Sequence, residues 1–142
     1  LNKVDRKLVT TVPTIKNLSQ TEFTQVKAQG AKIIDTRPWP DYTKGYLRGT
    51  LSITNNNSFS TWMGWYVSYD EDFYVIAEDA QIEDITRKLM RIGLDNLAGY
   101  ITPAQLNAYE GGKLESYAPI DFETAQQKIA EGKVQVVDLR AA

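Results

Sequence analysis

The sequence predicts an α/β fold in which helices cover both faces of a parallel sheet. Short apolar segments rich in β-branched residues alternate along the chain with amphipathic helical patterns, and this alternation is typical of parallel sheets. The chain has 142 residues, of which 42% are hydrophobic and 24% charged, which suits a domain with a buried core. Ligand sites in such sheets lie beyond the carboxyl ends of the strands, so the residues that follow strands are the first functional candidates.

The first half of the chain begins the alternation of strands and helices. Residues 8–12 (LVTTV) predict a short first strand. Ser19 and Glu22 form a capping-box pattern, which begins a helix, and Gly30 ends that helix. The inner face of this helix is predicted to hold Phe23, Val26 and Ala28. The next predicted elements are a buried strand at 31–35, a helical turn at 38–44 and a short strand at 50–53.

The second half continues the same alternation. Residues 59–69 form an aromatic segment that is predicted to pack inward through Phe59, Trp62, Trp65, Tyr66 and Tyr69. Residues 73–77 (FYVIA) predict a central strand, and the apolar spacing over 80–92 predicts a helix that Gly93 ends. After a strand at 96–100, Thr102 is predicted to cap a helix that has Pro103 in its first turn and ends by Gly111.

Two segments of the chain resemble each other. Residues 18–37 (LSQTEFTQVKAQGAKIIDTR) match residues 120–140 (IDFETAQQKIAEGKVQVVDLR) in an opening aliphatic residue, a later Gly, and a β-branched strand that ends in Asp-x-Arg. The second copy has one extra residue before its Asp-x-Arg, which is Asp138 and Arg140. We therefore expect a linker from an upstream domain at 1–17, one domain at 18–117, and the truncated start of a second domain of the same type at 118–142. The alternative is one domain whose C-terminal helix and strand join its own sheet.

The composition excludes several kinds of chemistry. The chain has no cysteine and no histidine, which rules out disulfides, thiolate nucleophiles, imidazole metal ligands and Ser-His-Asp triads. A formal net charge of −2 argues against nucleic-acid binding, because phosphate neutralisation needs a basic patch. No apolar run approaches the roughly 18 residues of a membrane span, and the first residues lack the apolar core of a signal peptide. We therefore expect a cytoplasmic protein that binds neither nucleic acid nor membrane.

Several segments together resemble a rhodanese-like domain. The strand that ends in Asp35, with Arg37 after it, resembles the first signature of that family. Residues 41–51 (DYTKGYLRGTL) resemble its Glu-Tyr/Phe-x-x-Gly-His-Ile-x-Gly-Ala segment, with Tyr46 where His is usual. Residues 89–97 (LMRIGLDNL) resemble its Leu-x-x-x-Gly-Phe-x-Asn-Val ending. The resemblance spans residues 18–112 and implies a rhodanese-like parallel sheet flanked by helices on both faces.

A narrower resemblance concerns the protein from which such a domain comes. Residues 58–65 (SFSTWMGW) and 96–100 (NLAGY) are similar to the first of two rhodanese domains that follow a metallo-β-lactamase-fold domain in bacterial fusions of the persulfide dioxygenase type. This implies a parent protein of sulfide metabolism in the metallo-β-lactamase superfamily, either a hydrolase or a persulfide dioxygenase. Its upstream domain would hold non-haem iron, and its downstream sulfurtransferase domain would hold a cysteine. No cofactor and no metal are expected in the present chain, and the expected partners are the flanking domains of the same polypeptide or a second copy.

The catalytic residue of the family has no counterpart in this sequence. An active rhodanese holds a Cys after its central strand, in a Cys-x-x-Gly-x-Arg loop at a helix N-terminus, where the thiol pKa is lowered. Counting back from Leu89 places that Cys at Ala77, and the loop expected after it, Glu78 to Gln81, contains neither Gly nor Arg. Carboxylates there stabilise the helix dipole and would repel an anionic donor. We therefore expect a non-catalytic domain with a structural or interaction role, whose vestigial site is Asp35, Arg37, Glu78 and Asp79.

Other roles for these residues stay open. Arg37 is expected to pair with Asp41 or to cap a loop, and alternatively it binds a small anion in a regulatory module. A second alternative is an enzyme of unknown class that uses carboxylates, namely Asp35, Asp41, Glu78 and Asp79. Aromatic side chains serve either as core packing or as a surface on which a partner docks, and the residues concerned are Trp39, Trp62 and Trp65.

Overall fold

The computed structural model describes residues 11–138, which contain six helices and six short strands. The helices are α1 (Gln20–Ala28), α2 (Trp39–Lys44), α3 (Phe59–Tyr66), α4 (Asp79–Arg91), α5 (Pro103–Asn107) and α6 (Phe122–Ala130). The strands are β1 (Lys32–Asp35), β2 (Tyr46–Leu47), β3 (Leu51–Ser52), β4 (Phe73–Ile76), β5 (Leu97–Ile101) and β6 (Leu114–Glu115). None of the helices in this range is both long and apolar enough to cross a lipid bilayer.

Four of the strands form a parallel sheet in the order β3-β1-β4-β5. β1 pairs with β4 along its whole length, from Lys32 opposite Phe73 to Asp35 opposite Ile76. β4 is therefore a central strand, as its apolar sequence predicts. Because the strands run in one direction, their carboxyl ends lie together at one edge of the sheet. β2 and β6 form a separate antiparallel pair.

The sheet divides the core into two layers, because successive side chains of a strand point to opposite faces. Phe73 and Val75 of β4 pack on one face against α3 and α4, and Ile76 packs on the other against α1 and α5. Buried helical residues in the first layer are Phe59, Met63, Ile82, Ile85 and Leu89, and those in the second are Phe23 and Leu106. Helices cover both faces, which confirms the predicted architecture.

The segment before α1 runs beside the edge strand β5. The Leu18 N–H donates to the Tyr100 carbonyl at 2.8 Å, and the Tyr100 N–H donates to the Lys16 carbonyl at 3.0 Å. Gly99 permits this approach, since a Cβ there would lie 2.9 Å from Leu18 Cδ2 and 3.2 Å from the Lys16 carbonyl oxygen. Residues 8–10 of the predicted first strand lie outside the described range, and residues 11–12 are not in a strand.

Two details of the predicted helices are wrong. Trp62, Trp65, Tyr66 and Tyr69 do not pack inward with Phe59 but are exposed, because α3 turns only its Phe59 and Met63 side to the sheet. Ala28 is exposed, since it lies five positions from the buried Phe23 and off the same helix face. α5 ends at Asn107, before Gly111 as predicted, and Tyr109 beyond it turns inward and packs edge-on against Phe23, with ring centroids 5.3 Å apart.

The C-terminal helix lies outside the core. α6 has no buried residue, and the strand predicted at 134–138 is wrong, because Val134, Val136 and Val137 are exposed and pair with no strand among residues 11–138.

The caps of α1 and α6 are alike. Ser19 accepts from the Glu22 N–H, Asp121 accepts from the Thr124 N–H, and a Gly with positive φ follows each helix. Arg140 lies outside the described residues, and the second-domain interpretation of 118–142 stays a prediction.

Candidate functional site

Asp35 and Arg37 form a buried ion pair at the carboxyl end of β1. Asp35 is fully buried; Arg37 Nη2 donates to its Oδ2 at 2.6 Å, and Arg37 Nε donates to its Oδ1 at 2.9 Å. The same Nη2 also donates to the Gly45 carbonyl at 2.7 Å. Of the two structural roles expected for Arg37, pairing with Asp41 is wrong, because the buried Asp35 carboxylate needs a charged partner and Asp41 Oδ1 instead lies 3.6 Å from Lys44 Nζ at the surface. The bond to the Gly45 carbonyl corresponds to the other role, capping of a loop.

β4 passes into α4 with almost no intervening loop. Ala77 is fully buried, and its N–H donates to the Ile101 carbonyl at 3.1 Å, so it continues the sheet. Glu78 is the N-cap of α4, which begins at Asp79, and the Gln81 N–H donates to the Glu78 carbonyl at 2.9 Å. The loop expected at 78–81 is therefore wrong: these residues are the cap and first turn of the helix.

A cleft of about 510 Å³ lies over the carboxyl ends of these strands. Arg37, Asp41, Lys44 and Glu78 line it, so its four charges balance, and the Arg37 guanidinium is already bonded to Asp35. An anionic ligand would meet as many carboxylates as cations in this cleft. The remaining lining residues are Pro38, Gly45, Gln81, Pro103, Asn107 and Leu114.

Asp79 belongs to a different cleft from Arg37 and Glu78. Tyr100 Oη donates to Asp79 Oδ1 at 2.6 Å, and both residues line a cleft of about 660 Å³ beside residues 11–15. The hydrogen bond to the Asp79 carboxylate, and secondly burial, raise the pKa of Tyr100, so its phenol is neutral at pH 7. This pair is not evident from the sequence, because only the pairing of β4 with β5 brings Tyr100 and Asp79 together.

The other carboxylates of α4 lie in ion pairs on the helix surface. Glu83 pairs with Arg87 at 2.5 Å, and Asp84 pairs with Lys88 at 2.7 Å, each at a spacing of four residues. The Lys88 ammonium lowers the pKa of Asp84. Within residues 11–138, no group of three or more Asp and Glu side chains could hold a metal ion. These carboxylates are therefore distributed over separate surface pairs rather than gathered in one site.

The three tryptophans lie close together at the surface. Trp39 and Trp62 line a groove of about 460 Å³ along β3, together with Leu51 and Tyr66. Trp65 lies outside the groove, but its ring centroid is 5.6 Å from that of Trp62. Tyr66, predicted to be internal, stacks beside Trp62 at 6.3 Å. The exposed surface therefore extends from α2 across β3 to α3.

Comparison with known proteins agrees with this architecture. No family model matches the sequence, and no curated protein matches it. The chain is similar to the solution structure of a rhodanese-like domain from Anabaena sp., with a TM-score of 0.58, 15% identity, and coverage of 91% of this chain and 96% of that one. The fold is rhodanese-like. The rhodanese-like chain is also similar to a thiosulfate sulfurtransferase from Pseudomonas aeruginosa, with a TM-score of 0.56, 16% identity, and coverage of 79% of this chain and 23% of that one.

A third similar structure is larger than the present chain. It is a metallo-beta-lactamase from Staphylococcus aureus, with a TM-score of 0.56 and 27% identity. The match covers 66% of this chain and 25% of that one. The rhodanese-like chain thus spans about a quarter of the length of both the metallo-beta-lactamase and the sulfurtransferase.

Proposed function

We propose that this rhodanese-like domain is non-catalytic and acts as a structural and interaction module in a multidomain sulfide-metabolism protein. The observation that carries the proposal is the direct passage of β4 into α4 through Ala77 and Glu78. Sulfur transfer by this family needs a thiolate in an accessible loop of backbone N–H groups. The chain has no cysteine, and helix occupies the place where the loop would lie.

The charges around the strand ends support the same proposal. The Arg37 guanidinium is committed to a buried carboxylate and a carbonyl, and Glu78 stands at the N-cap of α4. A thiosulfate or persulfide anion approaching this helix end would be repelled by the Glu78 carboxylate, although the Glu78 side chain makes no capping hydrogen bond to the first N–H groups of α4. The arrangement favours a stable helix start over anion binding, and so favours the module over the regulatory anion-binding alternative.

The proposed parent is a bacterial persulfide-metabolising protein of the metallo-β-lactamase superfamily. Support comes from the 27% identity to the Staphylococcus aureus metallo-beta-lactamase, of which this chain spans 25%. In this proposal the non-haem iron and the sulfurtransferase cysteine belong to other domains of the parent. The present domain holds those domains in position, or holds two copies of the protein together.

The direct test is a thiosulfate:cyanide sulfurtransferase assay on the purified 142-residue chain. We expect thiocyanate formation equal to that of a blank without enzyme, and a known active rhodanese added to the same preparation serves as the positive control. Turnover that follows the chain through size-exclusion chromatography would show the proposal to be wrong. Calorimetric titration with sulfate tests the alternative, because binding tighter than about 1 mM, lost in Arg37→Ala, would favour an anion-binding module.

A further inference from the structure

One side of the domain carries an exposed apolar surface, here called the tryptophan face and composed of Trp39, Leu51, Trp62, Trp65 and Tyr66. These side chains are between 37% and 75% exposed, which amounts to about 450 Å² of apolar side-chain area at the usual size of aromatic residues. A standard interface buries about 800 Å² per partner, of which roughly 60% is apolar. The tryptophan face therefore provides the apolar area that one such interface needs.

The residues of the tryptophan face are uncharged, although 24% of the residues in the chain are charged. Charged groups begin at its edge, where Lys32 Nζ donates to the Tyr66 carbonyl and pairs with Glu71. α3 has no charged residue in its sequence, FSTWMGWY, and none of the residues that line the groove along β3 is charged. In a two-fold symmetric dimer each residue near the axis faces its own copy, so any charge there would meet its like. A neutral surface of this size is therefore compatible with a second copy of itself and offers no attraction to a charged partner.

A glycine in α3 gives this surface a specific shape. Gly64 lies inside the helix and is exposed, and a Cβ added there would meet nothing within 4 Å. Glycine destabilises a helix interior relative to alanine. No contact within the chain requires a glycine at position 64, since a larger side chain would have space there. Helical spacing places Gly64 and Trp65 on the outer side of α3, away from the buried Phe59 and Met63. The helix thus presents a large ring beside an open space.

We propose that the tryptophan face binds a second copy of this chain about a two-fold axis, with the α3 helices crossing. In that arrangement Trp65 of each copy fills the space beside Gly64 of the other, which is the ridge-into-groove packing of paired helices. The exposed edge of β3 and the rings of Trp39 and Trp62 close the interface around this contact. The inference rests on the proposed interaction role and deepens it by naming the surface and the partner.

Sedimentation velocity of the 142-residue chain across a concentration series tests the inference. We expect a monomer–dimer equilibrium that Trp65→Ala and Gly64→Leu each weaken by about tenfold or more, as expected for residues central to an interface. Gly64→Leu should leave the melting temperature unchanged or raise it, because leucine favours the helix and meets open space. This separates loss of the interface from loss of the fold.

Phe122→Ala is the matched control, because Phe122 is 75% exposed, as Trp65 is, but lies on α6. We expect the dissociation constant of this variant to stay within twofold of the unaltered chain. The inference would be overturned if the chain stays monomeric up to millimolar concentration, whether or not it binds another domain of its parent. It would also be overturned by a dimer that Phe122→Ala disrupts and Trp65→Ala does not. The dimer and the non-catalytic role fail separately. A monomeric chain without sulfurtransferase turnover would contradict only the dimer, and turnover would contradict only the non-catalytic role.

Discussion

At the residue scale, the buried ion pair of Asp35 and Arg37 stabilises the fold at the carboxyl end of β1. Removing one member of a buried ion pair leaves an uncompensated charge and costs roughly 3–5 kcal/mol. We expect Arg37→Met to lower the free energy of unfolding by about 3 kcal/mol, since it leaves the fully buried Asp35 carboxylate without its guanidinium. Urea unfolding measures the change.

The double variant Asp35→Asn/Arg37→Met is the control for this prediction. Because it leaves no buried charge, it should be less destabilised than Arg37→Met alone. Equal losses of stability in the single and double variants would mean that the two residues do not act as a pair.

Ala77→Cys places a sulfur atom where the resemblance to rhodanese-like domains predicts the family cysteine, but should not make it reactive. The site is fully buried and next to the Glu78 carboxylate, and both burial and a nearby negative charge disfavour a thiolate. We expect the pKa of this thiol to stay at or above its ordinary value of about 8.5. Alkylation by iodoacetamide as a function of pH measures it.

Ala80→Cys is the matched control for the buried thiol, because Ala80 lies three residues further on and is exposed. Its thiol should alkylate readily at the pH at which the thiol at position 77 is protected. A thiol at position 77 that titrates well below pH 7 would contradict the argument from burial and charge.

At the residue scale, the sequence predicts contacts between residues that are close along the chain, but not contacts between residues that are far apart along it. Ser19 and Glu22 are three residues apart, so their capping box can be read from their spacing. Tyr100 and Asp79 meet only because two strands pair, and the partner of Arg37 depends on which carboxylate the fold buries. Those choices are made by tertiary packing, which spacing along the chain does not encode.

At the scale of elements, periodicity identifies α4 and the strands but not the orientation of α3. Ile82, Ile85 and Leu89 recur on one face of α4 and are buried. The large apolar residues of α3 spread over about half of the helix circumference. This arc is wider than the face that Phe59 and Met63 bury, so the pattern does not show which of these residues face the core. The β-branched residues at 134–137 likewise favour a strand, but none of the strands described here pairs with them.

Docking of the segment before α1 against β5 depends on Gly99. Gly99→Val should lower the free energy of unfolding by about 1–3 kcal/mol, because its side chain would overlap Leu18 and crowd the Lys16 carbonyl. Ala98→Val is the control: Ala98 is exposed on the same strand, and valine favours strands, so it should cost little. Similar melting temperatures for the two variants would show that the segment docks without this close approach.

For the molecule as a whole, α6 and the residues after it should contribute little to the stability of the domain. α6 buries none of its residues, whereas Tyr117 is still attached to the body, since its N–H donates to the Thr43 carbonyl at 3.0 Å. We expect a chain that ends after Tyr117 to unfold with a free energy within about 0.5 kcal/mol of the complete chain. Hydrogen exchange in the complete chain should show fast exchange over α6. A large loss of stability on truncation would show that α6 does pack on the body.

The fold class could be predicted from the sequence because it depends on alternation and burial, which are properties of the whole chain. The absence of a cysteine is also evident from the composition alone and needs no structure to detect. The division of the expected site into two clefts could not be predicted. It arises because α4 begins immediately after Ala77, so that Glu78 and Asp79 diverge around the helix axis.

The short connection between β4 and α4 also bears on the evolutionary history open to this domain. A single substitution can introduce a cysteine at Ala77, but an accessible loop could form only if residues were inserted or if the first turn of α4 unwound and withdrew Ile82 from the core. The intermediates on that route would lose stability before they gained any catalysis, so selection that removes unstable variants acts against them. Descendants of this chain are therefore expected to diversify at their surfaces rather than to gain such a loop.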